Sequence, residues 1–166
     1  RSPRLEVPWA RRLHFWLLRV HIYPPTWSCP GPWALGAGNP GATWESKLWE
    51  MDRFASVARH LGERRGLKSL VVWGSKQELD FATQIVSAAD GYAVLAPRTS
   101  LKELVAVLRR GTIFISSDTG PLHMAVAVGT PSIGLYGATR PADCGPYGAP
   151  HVGIQMQYES GSRTER

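Results

Sequence analysis

The sequence predicts an α/β protein, a Rossmann-like parallel sheet with helices on both faces, and three observations carry that prediction. From Trp33 onward, short β-rich runs alternate with amphipathic helical segments, the pattern of successive βαβ units. The apolar run Ile113-Phe114-Ile115 is continuous rather than alternating, as in a strand covered on both faces. The helical segments carry start and stop signals, such as Ser100 with Glu103 at one start and Gly66, Gly111 and Gly129 at ends. Ligands of such sheets sit at the carboxyl ends of the strands.

Residues 1–35 read as a basic, aromatic leader, irregular or partly helical. Trp9 to Tyr23 is apolar but interrupted by Arg11, Arg12, His14 and Arg19, which makes it too short and too charged for a membrane span. It lacks the small-residue cleavage site of a signal peptide, and Pro24-Pro25 to Pro32 reads as coil. A basic amphipathic helix at a membrane surface, a poorly ordered leader and the remnant of an upstream domain all stay open.

The domain proper is expected over residues 36–150. Trp33 to Gly38 reads as a short strand. Met51, Phe54, Ala55, Ala58 and Leu61 then mark one face of a helix that ends between Gly62 and Gly66. Leu67 to Trp73 is a strand, and Ala82, Ile85, Val86 and Ala89 stripe the next helix. Tyr92 to Leu95 is another strand, followed by a helix whose Leu101, Leu104, Val105 and Leu108 face inward. Ile113 to Ile115 is stopped by Ser116-Ser117-Asp118-Thr119-Gly120, after which Pro121 suits a first helical position. Leu122, Ala125 and Val126 fall at helical spacing, Ser132 to Tyr136 returns to a strand, and a Gly/Pro-rich loop follows. Residues 151–166 read as a polar tail.

Composition bounds the function. The chain has 166 residues, 43% hydrophobic and 19% charged, enough for one globular domain with a real core and unlike a disordered chain. The net charge of +6 is concentrated in Arg1 to Val20, where five arginines face the single Glu6. That favours a basic leader over a nucleic-acid stripe. Cys29 and Cys144 have neither metal-site nor redox spacing, so two reduced thiols of a cytoplasmic protein are expected.

Three loops should converge on one crevice. The first runs from Asn39 to Lys47, where Gly36 to Gly41 spells G-x-G-x-x-G. That motif is weak here, because Pro40 lies inside it and the next helix begins near Trp49. A turn that brings Thr43 and Lys47 towards a diphosphate fits better, with a solvated Lys47 as the plain reading. In the second loop, Trp73 to Glu78, Ser75 and Glu78 have capping-box spacing. The third is Ser117 to His123, where Asp118 suits a helix cap and His123 a satisfied core histidine. A strand feeding a helix through this turn aims free N–H groups and the positive end of a dipole at the strand's edge.

Ser-Asp-Thr-Gly-Pro-Leu-His at 117–123, Gly-Thr-Pro at 129–131, Tyr-Gly-Ala-Thr-Arg-Pro at 136–141 and Gly-Pro-Tyr-Gly at 145–148 resemble the carboxyl-terminal half of the heptosyltransferases. These are the inverting GT-B enzymes of glycosyltransferase family 9, which move heptose from ADP-heptose onto the lipopolysaccharide inner core. The resemblance covers Gly36 to Gly148, and its ordered motifs are more specific together than any one alone. It implies that the fold is the nucleotide-sugar-binding half of a GT-B enzyme. It also implies that Thr43 and Lys47 meet the diphosphate, that Glu78 meets the ribose hydroxyls, and that Asp118 holds a sugar hydroxyl. The amides of Thr119 and Gly120 would hold the diphosphate, with His123 donating to a phosphate oxygen.

The expected partners are the ADP-heptose donor and a lipopolysaccharide core acceptor, with no cofactor, metal or nucleic acid. Peripheral contact with the inner membrane stays open. The family's catalytic base is an aspartate of an amino-terminal domain, for which residues 1–35 are too few. This polypeptide alone is therefore expected to bind a nucleotide diphosphate weakly and to turn over poorly. A non-catalytic nucleotide-diphosphate-binding module is the second reading. Asp118-Thr119-Gly120 also spells the aspartic protease signature, but one copy followed by a helical pattern contradicts an all-β protease.

Overall fold

The computed structural model describes residues 33–36, 49–137 and 139–155. Its six strands are β1 (Trp33–Gly36), β2 (Lys68–Val71), β3 (Ala93–Leu95), β4 (Ile113–Ser117), β5 (Ser132–Tyr136) and β6 (Val152–Gln155). They form one sheet in the order β3-β2-β1-β4-β5-β6, and every neighbouring pair is parallel. Between them lie α1 (Met51–Arg65), α2 (Lys76–Ala88), α3 (Leu101–Leu108), α4 (Gly120–Ala127) and the single turn α5 (Pro141–Cys144).

Side-chain alternation along β4 separates two cores. Ile113 and Ile115 point to the face covered by α1 and α2, where they join Phe54, Ala58, Leu61 and Ile85. Phe114, between them, points the other way into a cluster with Leu104 and Leu108 of α3, Leu122 and Ala125 of α4, and Tyr136. All five residues of β4 and of β5 are buried, as the continuous apolar runs predict for strands covered on both sides.

Each helix is delimited by local chemistry. The first turn of α2 carries a complete capping box between Ser75 and Glu78, and α3 carries another between Ser100 and Glu103. The backbone N–H of Ser100 and then its hydroxyl hold the Glu103 carboxyl below its ordinary range. At the end of α1, Gly66 sits at φ 63° and its N–H returns to Gly62 and Leu61. A Cβ there meets no neighbouring atom, so Gly66→Ala should cost about 1 kcal/mol through backbone strain alone. A urea melt that shows no loss of stability would contradict that left-handed cap.

Two long-range ties close the layers. Arg59 of α1 donates to the Ala88 carbonyl at 2.9 Å and meets Asp90 at 3.3 Å, which joins α1 to the end of α2. Thr130 donates to the Leu108 carbonyl at 2.7 Å and fixes the end of α3 beside the start of β5.

Two expectations are corrected. The segment from His151, read as a polar tail, opens with β6, which pairs residue by residue with β5 from Ile133↔Val152 to Tyr136↔Gln155. As an edge strand, β6 is only half-covered at Val152 and Ile154 and exposed at Gly153 and Gln155, so backbone pairing to β5 rather than an apolar run defines it. The Gly/Pro-rich loop before it contains α5, begun by Pro141, whose one turn is too short to show a periodicity. The leader before Trp33, Cys29 and the chain beyond Gln155 lie outside the described residues.

Candidate functional site

Strand order decides where a ligand can sit. Connections leave β1 towards one edge of the sheet and β4 towards the other, so β1 and β4 flank the topological switch point. Because all strands are parallel, the turns that follow β2, β4 and β5 open on the same edge, where β1 also ends. The turn after β4 is Asp118-Thr119-Gly120, and it stands directly at that crevice.

Asp118 is the centre of the turn. Its side chain is only 8% exposed. Oδ2 accepts the Thr139 hydroxyl at 2.8 Å, and Oδ1 lies 3.5 Å from His123 Nε2. The N-cap of α4 is Thr119 rather than Asp118, and Thr119 makes no side-chain cap bond. Its hydroxyl instead turns inward, 3.0 Å from Ser116 Oγ, and the residue is buried. The helix cap expected of Asp118 on plain structural grounds therefore falls to its neighbour, while the carboxylate faces Thr139 and His123.

The start of α4 is built differently from α2 and α3. Gly120 is the first helical residue and exposed, so its N–H has no intrahelical acceptor. Pro121 has no N–H at all. One turn on, the His123 side chain is 51% exposed, which rules out the core-histidine reading. The positive end of the α4 dipole, an amide and an imidazole thus open on the crevice.

Glu78 lies at the edge beside β2. Its Oε2 accepts the N–H groups of Gly74 at 2.5 Å and Ser75 at 2.8 Å, while its own N–H donates to Ser75 Oγ at 3.2 Å. The capping reading is therefore correct as local structure. Both bonds fall on one oxygen, so the other can serve a second donor. Trp73 Nε1 donates to the Ala96 carbonyl at 2.7 Å, which braces this loop against the end of β3.

Asp118, Thr119, Gly120 and His123 are thus brought together at the switch point, and Glu78 shares their sheet edge from β2. Thr43 and Lys47 lie outside the described residues. Apart from Gly36, the G-x-G-x-x-G stretch also lies outside the described residues. The all-parallel sheet also disposes of the aspartic protease reading, whose turn joins strands of an all-β fold.

Sequence reasoning missed Thr139. It sits in the motif Tyr136 to Pro141, yet nothing in its spacing from Asp118 signals contact. Tyr136 is fully buried and its hydroxyl donates to the Cys144 carbonyl at 3.2 Å. Burial, then the Asp118 charge, then Cys144 and Tyr147 push its ionisation far above the ordinary range, so it stays a neutral donor. Among the described residues no helix is long and apolar enough to cross a membrane.

Comparison with known proteins agrees with this fold. The profile of Glycosyltransferase family 9 (heptosyltransferase) matches residues 36–166. Lipopolysaccharide heptosyltransferase 1 of Pseudomonas aeruginosa is 34% identical over 118 residues, which is 71% of this chain and 33% of that protein. The Escherichia coli heptosyltransferase WaaC with ADP superposes with a TM-score of 0.69 at 25% identity, covering 93% of this chain and 45% of the other. A family 9 glycosyl transferase structure from Veillonella parvula gives a TM-score of 0.69 at 28% identity, covering 80% and 38%. The chain spans about a third of the length of the curated relatives it matches.

Proposed function

Since this chain belongs to glycosyltransferase family 9, we propose that its crevice binds a nucleotide-sugar donor, ADP-heptose, for inverting transfer of heptose to a lipopolysaccharide core acceptor. The observation that carries the reading is the Asp118-Thr119-Gly120 turn at the switch point. There an oriented carboxylate and an open helix start stand side by side. Those two features suit the two ends of a sugar diphosphate, a hydroxyl-rich ring and an anion.

In this reading Asp118 accepts from a heptose hydroxyl. The Thr119 and Gly120 amides, the α4 dipole and His123 meet the diphosphate, with Thr43 and Lys47 joining from the turn after β1. Glu78 meets the ribose through the oxygen its cap leaves over. Breaking the bond between sugar and phosphate builds positive charge at the anomeric carbon and negative charge on the departing ADP. Preorganised donors to such a leaving group contribute about 3 kcal/mol each. Inversion also requires a base on the opposite face of the sugar, for the acceptor proton. The family resemblance assigns that base to an aspartate of the amino-terminal domain.

Titration calorimetry with ADP, UDP and NAD tests the donor assignment. ADP should bind most tightly, and Lys47→Ala should weaken it about tenfold by removing one charge-assisted contact. If the three nucleotides bound alike and the substitution changed nothing, the assignment would fail. Heptosyl transfer by the purified chain separates a transferase from a module that only binds.

A further inference from the structure

The Thr139 hydroxyl spans two loops. It leaves the loop after β5 and donates to Asp118 Oδ2 in the turn after β4, a sequence separation of 21 residues and a distance of 2.8 Å. An ionised carboxylate can only accept, so the threonine proton points at Asp118. With the Asp118 side chain 8% exposed, water competes poorly for that bond. The other carboxylate oxygen remains turned towards the half-exposed His123 at 3.5 Å.

The terminal torsion of an aspartate is soft and nearly two-fold, so a carboxylate held at one end alone samples several orientations. Here each oxygen has its own direction. We propose that Thr139 is a positioning residue for the sugar end of the crevice, holding the Asp118 carboxylate in the orientation that receives a donor-sugar hydroxyl. The inference rests on the donor-binding reading above and adds to it a specificity device built by β5. A carboxylate oriented before the ligand arrives loses less freedom on binding, and the gain goes to the sugar rather than to the nucleotide.

Thr139→Val keeps the branched shape and removes the donor, Thr139→Ser keeps the donor, and Thr139→Ala is a second deletion without new bulk. Calorimetry of the full chain with ADP and, separately, with ADP-heptose reads all three against the wild type, with circular dichroism confirming that each is folded. The wild type should bind ADP-heptose more tightly than ADP. Loss of one hydrogen bond to a charged group should weaken ADP-heptose about tenfold in the Val and Ala variants, with ADP within about twofold and the Ser variant close to wild type. If folded Val and Ala variants keep the preference for the sugar nucleotide, or lose both ligands equally, Thr139 has no such role and the donor reading stands. If the wild type binds ADP and ADP-heptose alike, the donor reading falls and the role of Thr139 with it.

Discussion

Phe114→Ala should destabilise the chain by about 3–5 kcal/mol, the range for deleting a buried phenylalanine. Phe114, the second residue of β4, is fully buried and paired with Leu35 of β1 on one side and Ser132 of β5 on the other. Its ring fills the space between α3, α4 and Tyr136. The cost includes the cavity as well as the lost transfer energy, because neighbours on two helices and a sheet cannot all collapse into the gap. Ile113→Val, on the opposite face of the same strand, should cost about 1 kcal/mol. Urea denaturation of both variants checks the pair. A loss below about 1 kcal/mol for Phe114→Ala would mean that α3 and α4 do not close over this side of β4.

Gly134→Val should cost about 3 kcal/mol, the upper end of the range for overpacking. A Cβ on Gly134 would lie 2.6 Å from Tyr136 Cε2 and 2.8 Å from Leu122 Cδ2. Both neighbours are fully buried, so neither can swing into solvent. Leu122 belongs to α4, whose first turn carries Gly120 and His123, and the added bulk pushes that helix away from the sheet. The variant should therefore lose nucleotide affinity together with stability. Measuring the melting temperature and ADP binding on the same sample checks this. A variant as stable as wild type would show that α4 rides higher on the sheet than described.

How much of this was legible in the sequence depended on how local the signal was. The segment from Ile113 to Tyr136 was readable because its strand, turn, helix and strand each fit within a few residues. Both capping boxes were visible as Ser-x-x-Glu, and Gly66 as a helix stop. β6 was not, because two half-covered apolar residues in an edge strand resemble any polar loop. The order of the strands was equally invisible: the β1 to β4 pairing joins Ala34 to Ile113, and no periodicity encodes a partner that far away.

The site divided along the same line. The turn residues Asp118, Thr119, Gly120 and His123 stood out through their spacing and their resemblance to a family. Their distinct duties did not, since Asp118 and Thr119 are both good N-cap residues and only coordinates show which of them closes the helix. Thr139 was hidden for the reason β6 was. Its partner lies across the sheet edge, and a threonine in a Gly/Pro-rich loop has many ordinary uses.

The central position of β1, between β2 and β4, divides the crevice between two stretches of chain that meet only when the fold is complete. Residues up to β3 carry Glu78 and residues from β4 onward carry Asp118, Thr119, Gly120 and His123, so neither stretch alone contains the candidate site. A bound nucleotide would act as a staple across the seam, and saturation at a hundredfold over its Kd would add about 2.7 kcal/mol to the stability of the whole domain. Ligand-induced protection of amide protons should accordingly reach β2 and β5 as strongly as the loops in contact.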